Sequence, residues 1–238
     1  MVSLAPTRRF KEGRVINMDS PKTKTLGAIL YNDFELLDLY GPLEMFGALP
    51  GYFKIITVSD QVGPVASTPG PRSLAEYSYA DCPPLDLILL PGGFGTVPEL
   101  ENQALLDFLR ERSAVAQYTM SVCSGSAILA RAGLLDGRRA TSNKQLFRLA
   151  TQQSDKVEWV EQARWVEDGP FVTASGVSAG TDMALAVIAR LYGDEHAQRI
   201  ADYTEYQWHK DAFSDPFAKF LNAMDLDALA AAMEKPAQ

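Results

Sequence analysis

The sequence predicts an α/β fold in which helices cover both faces of a mainly parallel sheet. Three observations lead to this prediction. From residue 26 onward, short apolar runs of strand length alternate with segments whose apolar residues recur at helical spacing. No internal repeat interrupts this alternation. The length of 238 residues, with 47% hydrophobic and 22% charged residues, is typical of one globular domain near the upper end of domain size.

The first half of the chain supplies three predicted strands and two predicted helices. The strands are the apolar runs 26–31 (LGAILY), 53–58 (FKIITV) and 85–90 (LDLILL). A helix is predicted over 34–46, although Gly41-Pro42 in its middle implies a kink or a restart. Leucines at helical spacing predict a second helix over 98–112.

The second half continues the alternation and closes with helices. Further strands are predicted over 114–122, 157–160, 163–166 and 171–174. Asp168-Gly169 separates the last two strands and is a hairpin signal. The predicted helices are 125–132, 178–192 and 194–206. Ligands bind outside the carboxyl ends of the strands in such sheets, so we expect a site at the turns after residues 31, 90 and 122.

The chain is predicted to have three parts, and its uneven charge marks the boundary of the first. Residues 1–25 contain six basic and two acidic side chains, whereas the whole chain carries a net charge of −8. We therefore predict a flexible arm over 1–25; an Arg-rich transit peptide is the alternative, and no apolar stretch suits a secretory signal. The domain itself is predicted to span 26–214. Residues 215–238 are predicted to form a partly helical tail that packs on the domain or on a partner subunit.

Composition excludes several classes of protein. The acidic balance, with a pI near 4.8, argues against nucleic-acid binding. No apolar run approaches the ~20 residues that cross a bilayer, so no membrane partner is expected. Two cysteines and two histidines are too few for a disulfide scaffold or a site of several imidazoles. We therefore predict a soluble, cytoplasmic protein without a metal or an organic cofactor.

Cys123 gives the strongest functional signal. The turn SVCSG at 121–125 lies between a predicted strand and a predicted helix, and it has the form of a nucleophile elbow with cysteine at the nucleophile position. The positive end of the following helix is expected to lower the pKa of the thiol, so that Cys123 is alkylated faster than Cys82. The alternative is a buried cysteine in a turn of small residues.

A glycine-rich turn follows the strand at 85–90. Pro91-Gly92-Gly93 at its carboxyl end leaves backbone N–H groups free to face a ligand, and such donors stabilise an oxyanion together with the N–H of Ser124. The turn lacks the Lys-Ser/Thr pair of a phosphate-binding loop and the spacing of a dinucleotide fingerprint. A plain tight turn is the remaining alternative.

Asp38 is an acid among leucines in the helix predicted at 34–46. If it is buried, its pKa rises and it can donate a proton near neutral pH. A solvent-facing acid on an amphipathic helix is the competing interpretation. Glu44 is the alternative acid, and its spacing places it on a different part of the helix from Asp38.

These motifs together resemble the DJ-1/PfpI superfamily, in chain order and across residues 26–210. Three segments narrow the resemblance, namely 37–44 (LDLYGPLE), 132–141 (AGLLDGRRAT) and 176–182 (GVSAGTD). They are similar to the branch that contains isocyanide hydratases and the class I glutamine amidotransferase-like domains of AraC-type regulators. A DNA-reading domain of roughly 100 residues is not expected in the 24 residues from 215 to 238.

The resemblance implies a flavodoxin-like three-layer α/β/α sandwich that forms a homodimer. It also implies Cys123 as the nucleophile, Asp38 as the acid beside its sulfur, and Gly93 and Ser124 as the backbone positions around the sulfur. The sequence departs from many relatives in having Ser124 where they have histidine, which puts peptidase activity in doubt. It also has Asn143-Lys144 where many have a His-Trp pair, so substrate contacts at that position are expected to differ.

Isocyanide hydration requires at least two catalytic groups, a thiol and a carboxylic acid. The thiolate attacks the electrophilic isocyanide carbon, the acid protonates that carbon, and water releases an N-substituted formamide without any cofactor. Because the chain resembles the branch that contains isocyanide hydratases, and this chemistry is consistent with its residues, hydration of a small-molecule isocyanide is the predicted function. Glyoxalase or deglycase activity on reactive carbonyls, and a ligand or redox sensor without turnover, are the alternatives.

Overall fold

The computed structural model describes residues 22–225. In this part of the chain seven strands join one main sheet, and the other four form two separate pairs. The strands, in chain order, are β1 (Lys24–Ile29), β2 (Phe53–Ser59), β3 (Gly63–Ala66), β4 (Arg72–Ala75), β5 (Tyr77–Ser78), β6 (Leu87–Leu90), β7 (Tyr118–Val122), β8 (Arg139–Ala140), β9 (Glu158–Trp159), β10 (Trp165–Asp168) and β11 (Phe171–Ala174). The main sheet has seven strands in the order β10-β11-β7-β6-β1-β2-β5. β3 pairs with β4 and β8 pairs with β9 outside it.

The main sheet is parallel except at one edge. Every neighbouring pair from β11 to β5 is parallel, and only the β10–β11 pair is antiparallel. The predicted α/β fold with a mainly parallel sheet is therefore confirmed, as is the hairpin at Asp168-Gly169. A central strand of such a sheet is covered on both faces, and β6 shows this most clearly: all four of its residues are apolar and buried.

Seven helices accompany these strands in the described part of the chain. They are α1 (Leu36–Gly47), α2 (Thr96–Glu99), α3 (Gln103–Ser113), α4 (Gly125–Arg131), α5 (Phe147–Thr151), α6 (Ala179–Tyr192) and α7 (Asp194–Tyr203), with a short 3₁₀ helix at Ala218–Phe220. None of them is long and apolar enough to cross a bilayer.

The predicted restart at Gly41-Pro42 is wrong, because α1 runs through both residues. Gly41 is needed for close packing: a Cβ atom there would lie 2.6 Å from Thr181 Oγ1 on α6. On the facing side, a Cβ atom at Gly180 would lie 2.7 Å from Val122 Cγ2 and 3.1 Å from Pro42 Cγ. The two helices therefore meet through small residues, and tertiary packing maintains a helix that the local sequence disfavours.

Several element boundaries differ from the prediction by one to three residues, and two elements differ by more. The helix expected over 98–112 is two helices, because the Asn102 side chain accepts a hydrogen bond from Leu105 N at 3.2 Å and caps α3. The strand expected over 114–122 begins only at Tyr118. Residues 1–21 of the predicted arm and 226–238 of the predicted tail lie outside the described residues, and the three-part division of the chain stays a prediction.

Candidate active site

The predicted site lies where the carboxyl ends of β1, β6 and β7 meet. β1 has β2 on one side and β6 on the other, so the chain leaves β1 in one direction and later returns on its opposite side. Such a reversal opens a crevice at the carboxyl ends of the strands. The loops after these three strands lead to Asp38, Gly93 and Cys123, and they bring together residues that lie far apart in the sequence.

Cys123 occupies a strained turn between β7 and α4. Its φ angle is +58°, in the left-handed region that side chains other than glycine rarely adopt. Its N–H donates to Ser175 O at 2.9 Å, which fixes the turn against the end of β11. Glycines next to the turn permit this geometry, since a Cβ atom at Gly125 would lie 2.6 Å from Pro91 O. Strain of this kind clusters at functional sites, and the geometry is that of a nucleophile elbow.

The predicted lowering of the Cys123 pKa is wrong in direction. Burial raises the pKa of the thiol well above its ordinary value, and the negative charge of Asp38 raises it further. Hydrogen bonds from Ser124 and from the Asn143 side chain lower the pKa, but they do not offset burial. α4 has only seven residues, and the side chain of Cys123 is almost fully enclosed. The thiol is therefore protonated at neutral pH unless a neighbouring group accepts its proton.

Asp38 is the group that lies beside the thiol. Its side chain is fully buried, so the interpretation as a solvent-facing acid is excluded, whereas Glu44 is exposed on the same helix. Gly92 N donates to Asp38 Oδ2 at 2.9 Å, and Oδ1 has no hydrogen-bond partner among the described residues. Burial raises the pKa of this carboxyl well above its ordinary value, and the charge of Glu35 adds to the rise. Asp38 and Cys123 thus form a buried, coupled pair: the charge of Asp38 raises the pKa of the thiol, whereas a hydrogen bond from the thiol lowers the pKa of Asp38 without offsetting its burial.

The two predicted backbone positions lie on the same side of the site. A Cβ atom at Gly92 would lie 2.5 Å from Ser124 N, so the glycine turn and the elbow are in direct contact. Gly93 N donates to Ser124 Oγ at 3.1 Å, and that oxygen lies 2.8 Å from Thr96 Oγ1. The Gly93 N–H is therefore occupied by the serine side chain, while Ser124 N supports charge on the sulfur. The role of Gly93 as an oxyanion donor stays a prediction.

Asn143 is a site residue whose role the sequence did not define. Its Nδ2 donates to Cys123 Sγ at 3.1 Å, while its Oδ1 accepts from Leu146 N at 3.0 Å, which fixes the orientation of the amide. The only signal in the sequence was that Asn143-Lys144 stands where many DJ-1/PfpI relatives have a His-Trp pair.

The two histidines lie away from the thiol: His196 contacts Tyr52, and His209 contacts Ser214 O. Neither of these two histidines therefore reaches the thiol.

A small pocket leads from the surface to the sulfur. It has a volume of about 200 Å³ and is lined by ten residues, namely Glu35, Gly93, Phe94, Cys123, Ser124, Asn143, Gln145, Leu146, Val177 and Met224. Within residues 22–225, no cluster of three or more His, Cys, Asp or Glu side chains is arranged to hold a metal ion. The chemistry that the described side chains offer here is that of a thiol, a carboxylic acid and hydrogen-bond donors.

Comparison with known proteins identifies the proteins that this chain is similar to. Residues 25–190 match the model of the DJ-1/PfpI family. Isonitrile hydratase of Pseudomonas putida is 37% identical over 186 residues, which cover 76% of this chain and 78% of that protein. The HTH-type transcriptional regulator CdhR of Pseudomonas aeruginosa is 31% identical over 140 residues, 59% of this chain and 41% of the regulator.

A solved structure extends the likeness over nearly the whole chain. A ThiJ/PfpI family protein from Pseudomonas syringae superposes with a TM-score of 0.73 at 32% identity, and the match covers 97% of this chain and 93% of that one. The predicted flavodoxin-like architecture is confirmed by this likeness. Since the family model covers well over half of the residues and the hydratase exceeds 30% identity over three quarters of them, the chain belongs to the DJ-1/PfpI family.

Proposed function

We propose that the protein hydrates an isocyanide to an N-substituted formamide, with Cys123 as the nucleophile and Asp38 as the acid. One observation carries the proposal: a fully buried carboxyl, one of whose oxygens has no hydrogen-bond partner among the described residues, lies beside a buried thiol on a nucleophile elbow. The similarity to isonitrile hydratase of Pseudomonas putida supports this choice of reaction.

The first step needs a single proton on the Asp38–Cys123 pair. In the reactive form that proton is on the carboxyl group, so that the sulfur is a thiolate and Asp38 is a neutral acid. A bond forms between Cys123 Sγ and the isocyanide carbon, and Asp38 protonates the same carbon. The products of this step are a thioimidate and the Asp38 carboxylate. Asn143 and Ser124 N–H stabilise the thiolate before the attack.

The second step returns both residues to their starting state. The Asp38 carboxylate takes a proton from the attacking water and passes it to the substrate nitrogen, while the water oxygen bonds to the former isocyanide carbon. The carbon–sulfur bond then breaks, Asp38 accepts the hydroxyl proton, and the formamide leaves. One molecule of water is consumed, and the thiolate and the carboxylic acid are restored.

The hydrogen-bond partners of both histidines argue against peptidase chemistry, because they are Tyr52 and Ser214 O and not the thiol. A cysteine peptidase uses histidine to take the thiol proton and to protonate the leaving amine. Here the group beside the sulfur is an acid, and hydration of an isocyanide releases no amine. The geometry therefore fits proton donation to carbon better than proton donation to a leaving nitrogen.

The purified protein is expected to convert cyclohexyl isocyanide and phenyl isocyanide to their formamides. In H₂¹⁸O the product should gain one ¹⁸O atom, because the carbonyl oxygen comes from water. Cys82 is the matched control: it is equally buried but precedes β6 at the opposite end from the site, so Cys82→Ser should keep the wild-type rate. Mass spectrometry of the formamide products measures the ¹⁸O content and the rate of each variant. Turnover of methylglyoxal without formamide formation would instead favour the glyoxalase alternative.

We also propose that the protein acts as a cytoplasmic homodimer. Both cysteines are free, as suits a reducing compartment, and a homodimer would bury the same surface patch of each copy. Sedimentation of the protein at micromolar concentration is expected to give about twice the chain mass of 26.1 kDa. A species of 26.1 kDa under these conditions would contradict the dimer but leave the chemistry untouched.

A further inference from the structure

A second pocket adjoins the one that holds Cys123. It has a volume of about 240 Å³, and its surface is mostly apolar. It shares three lining residues with the cysteine pocket, namely Asn143, Gln145 and Val177, so the two are continuous. This volume lies below the ~300–1,000 Å³ of sites for drug-sized ligands, and it suits a group about as large as one six-membered ring.

The outer wall of this pocket comes from the end of the described chain. We call residues 215–224 the C-terminal strap. Phe217 of the strap lines the second pocket together with Leu37 and Val177, and Met224 lines the cysteine pocket. Phe217 is 51% exposed, so its ring stands at the mouth of the pocket and not in the core.

Backbone hydrogen bonds seat the strap on the loop that carries Asn143. Asn222 N donates to Lys144 O at 2.8 Å, and Met224 N donates to Gln145 O at 3.2 Å. At the start of the strap, Asp215 N donates to Gln162 O at 3.0 Å. The strap is therefore attached to the residues that follow the thiol-binding amide, and its position depends on the same loop.

Buried charges hold the start of the strap. The Asp215 side chain is almost fully enclosed; its Oδ1 lies 3.9 Å from Arg164 Nη1, and its Oδ2 lies 3.9 Å from Lys144 Nζ. Arg164 also pairs with the buried Asp182 of α6 at 2.6 Å. Removing one member of such a buried network leaves a charge without its partner, so the network fixes where Phe217 stands.

The same network makes the second pocket unsuited to an acidic group. Among the described residues that line it, Lys144 alone is cationic, but its Nζ donates to Ala163 O at 2.7 Å and to Thr141 Oγ1 at 2.8 Å. Burial further lowers the pKa of this lysine to about 8. Its ammonium group is thus engaged inside the protein, and the pocket offers apolar contact without a free counter-ion for a carboxylate or phosphate among these lining residues.

We propose that this second pocket binds the N-substituent of the isocyanide, and that Phe217 of the C-terminal strap is the residue that makes the protein favour a bulky apolar substituent over a methyl group. The inference rests on the proposed function. An isocyanide is linear at nitrogen, so a substituent must extend away from the carbon that Cys123 attacks. The adjoining apolar pocket shares Asn143, Gln145 and Val177 with the cysteine pocket and has room for that substituent.

The test compares Phe217→Ala with Phe213→Ala on two substrates. Phe213 is 64% exposed, precedes the strap and lines neither pocket, so it controls for loss of an exposed ring. For cyclohexyl isocyanide, Phe217→Ala should raise KM and lower kcat/KM by ~10-fold, because apolar contact in a pocket is lost. For methyl isocyanide, kcat/KM should stay within about twofold of wild type, since a methyl group does not reach the ring. Equal loss on both substrates would overturn the assignment.

A second readout does not require the proposed reaction. Cys123 is alkylated with N-cyclohexyl-2-iodoacetamide and with N-methyl-2-iodoacetamide, and mass spectrometry gives the ratio of the two rates. The ratio should favour the cyclohexyl reagent in wild type and in Phe213→Ala, and fall towards one in Phe217→Ala. If no isocyanide is hydrated but the ratio still depends on Phe217, the proposed function fails and the pocket assignment holds. A ratio that is the same in all three proteins would overturn the pocket assignment.

Discussion

Replacement of Cys123 by alanine is expected to reduce isocyanide hydration by at least ~10⁴-fold, to the rate without protein. In the proposed route, water attacks the substrate carbon only after that carbon is bonded to Cys123 Sγ, and no other described side chain in the pocket supplies a thiol. Formamide release measured by mass spectrometry gives the rate. A variant with substantial remaining turnover would remove covalent catalysis from the mechanism.

The matched control is again Cys82→Ser, which keeps one thiol and should keep the rate. Thermal unfolding separates loss of chemistry from loss of structure in both variants. Cys123→Ala removes one buried sulfur atom, so we expect a cost of about 1 kcal/mol in the free energy of unfolding. A much larger loss of stability would mean that the fold, and not the nucleophile, accounts for the loss of rate.

Strands were predicted best where a buried strand appears in the sequence as a short apolar run bounded by turn residues. β11 was predicted at its observed bounds because Phe171–Ala174 is an apolar run between Gly169-Pro170 and a serine. The separate pair β3 and β4 was missed, since proline and alternating polar residues give only a weak strand signal there. The break before α3 was also missed, although Asn102 is a recognisable cap residue.

Two site residues were predictable because their motifs are local. The elbow at Cys123 is encoded by neighbouring small residues, and Asp38 was identified by its place among leucines and by family resemblance. The contact from Asn143 depends on how a loop 20 residues further along the chain folds back, so no local pattern reports it. The direction of the thiol pKa was mispredicted for the same reason: burial is a property of the whole fold, and here it outweighs the effect of a short helix.

Replacement of Asp38 by asparagine is the second variant with a large expected effect. The amide keeps the size of the side chain and can still accept the hydrogen bond from Gly92 N, but it has no proton to transfer. Positioned acid catalysis contributes ~10²–10⁴-fold, so hydration should fall by at least about a hundredfold. Asp38→Glu keeps an acid and should retain more activity than Asp38→Asn. Turnover and thermal unfolding are measured on the same preparations.

Asp38→Asn should slow hydration, yet it should make the Cys123 thiol easier to ionise and to alkylate. The negative charge of Asp38 raises the pKa of Cys123, so its removal lowers that pKa and exposes the thiolate at lower pH. The rate of Cys123 alkylation by iodoacetamide, followed against pH, should therefore reach its half-maximal value at lower pH in Asp38→Asn than in wild type. Cys82 in the same protein is the internal reference, because it lies away from the pair.

Opposite changes in hydration and alkylation distinguish proton donation from packing. If Asp38 only supports the fold, Asp38→Asn lowers the melting temperature while the rate per folded site is preserved. If Asp38 donates the proton, the variant contains a more readily ionised thiol and yet hydrates isocyanides at least about a hundredfold more slowly. Wild-type turnover in Asp38→Asn would exclude this residue as the acid. The half-buried Glu35, which lines the cysteine pocket, would then be the acid to replace, since Glu44 is exposed to solvent.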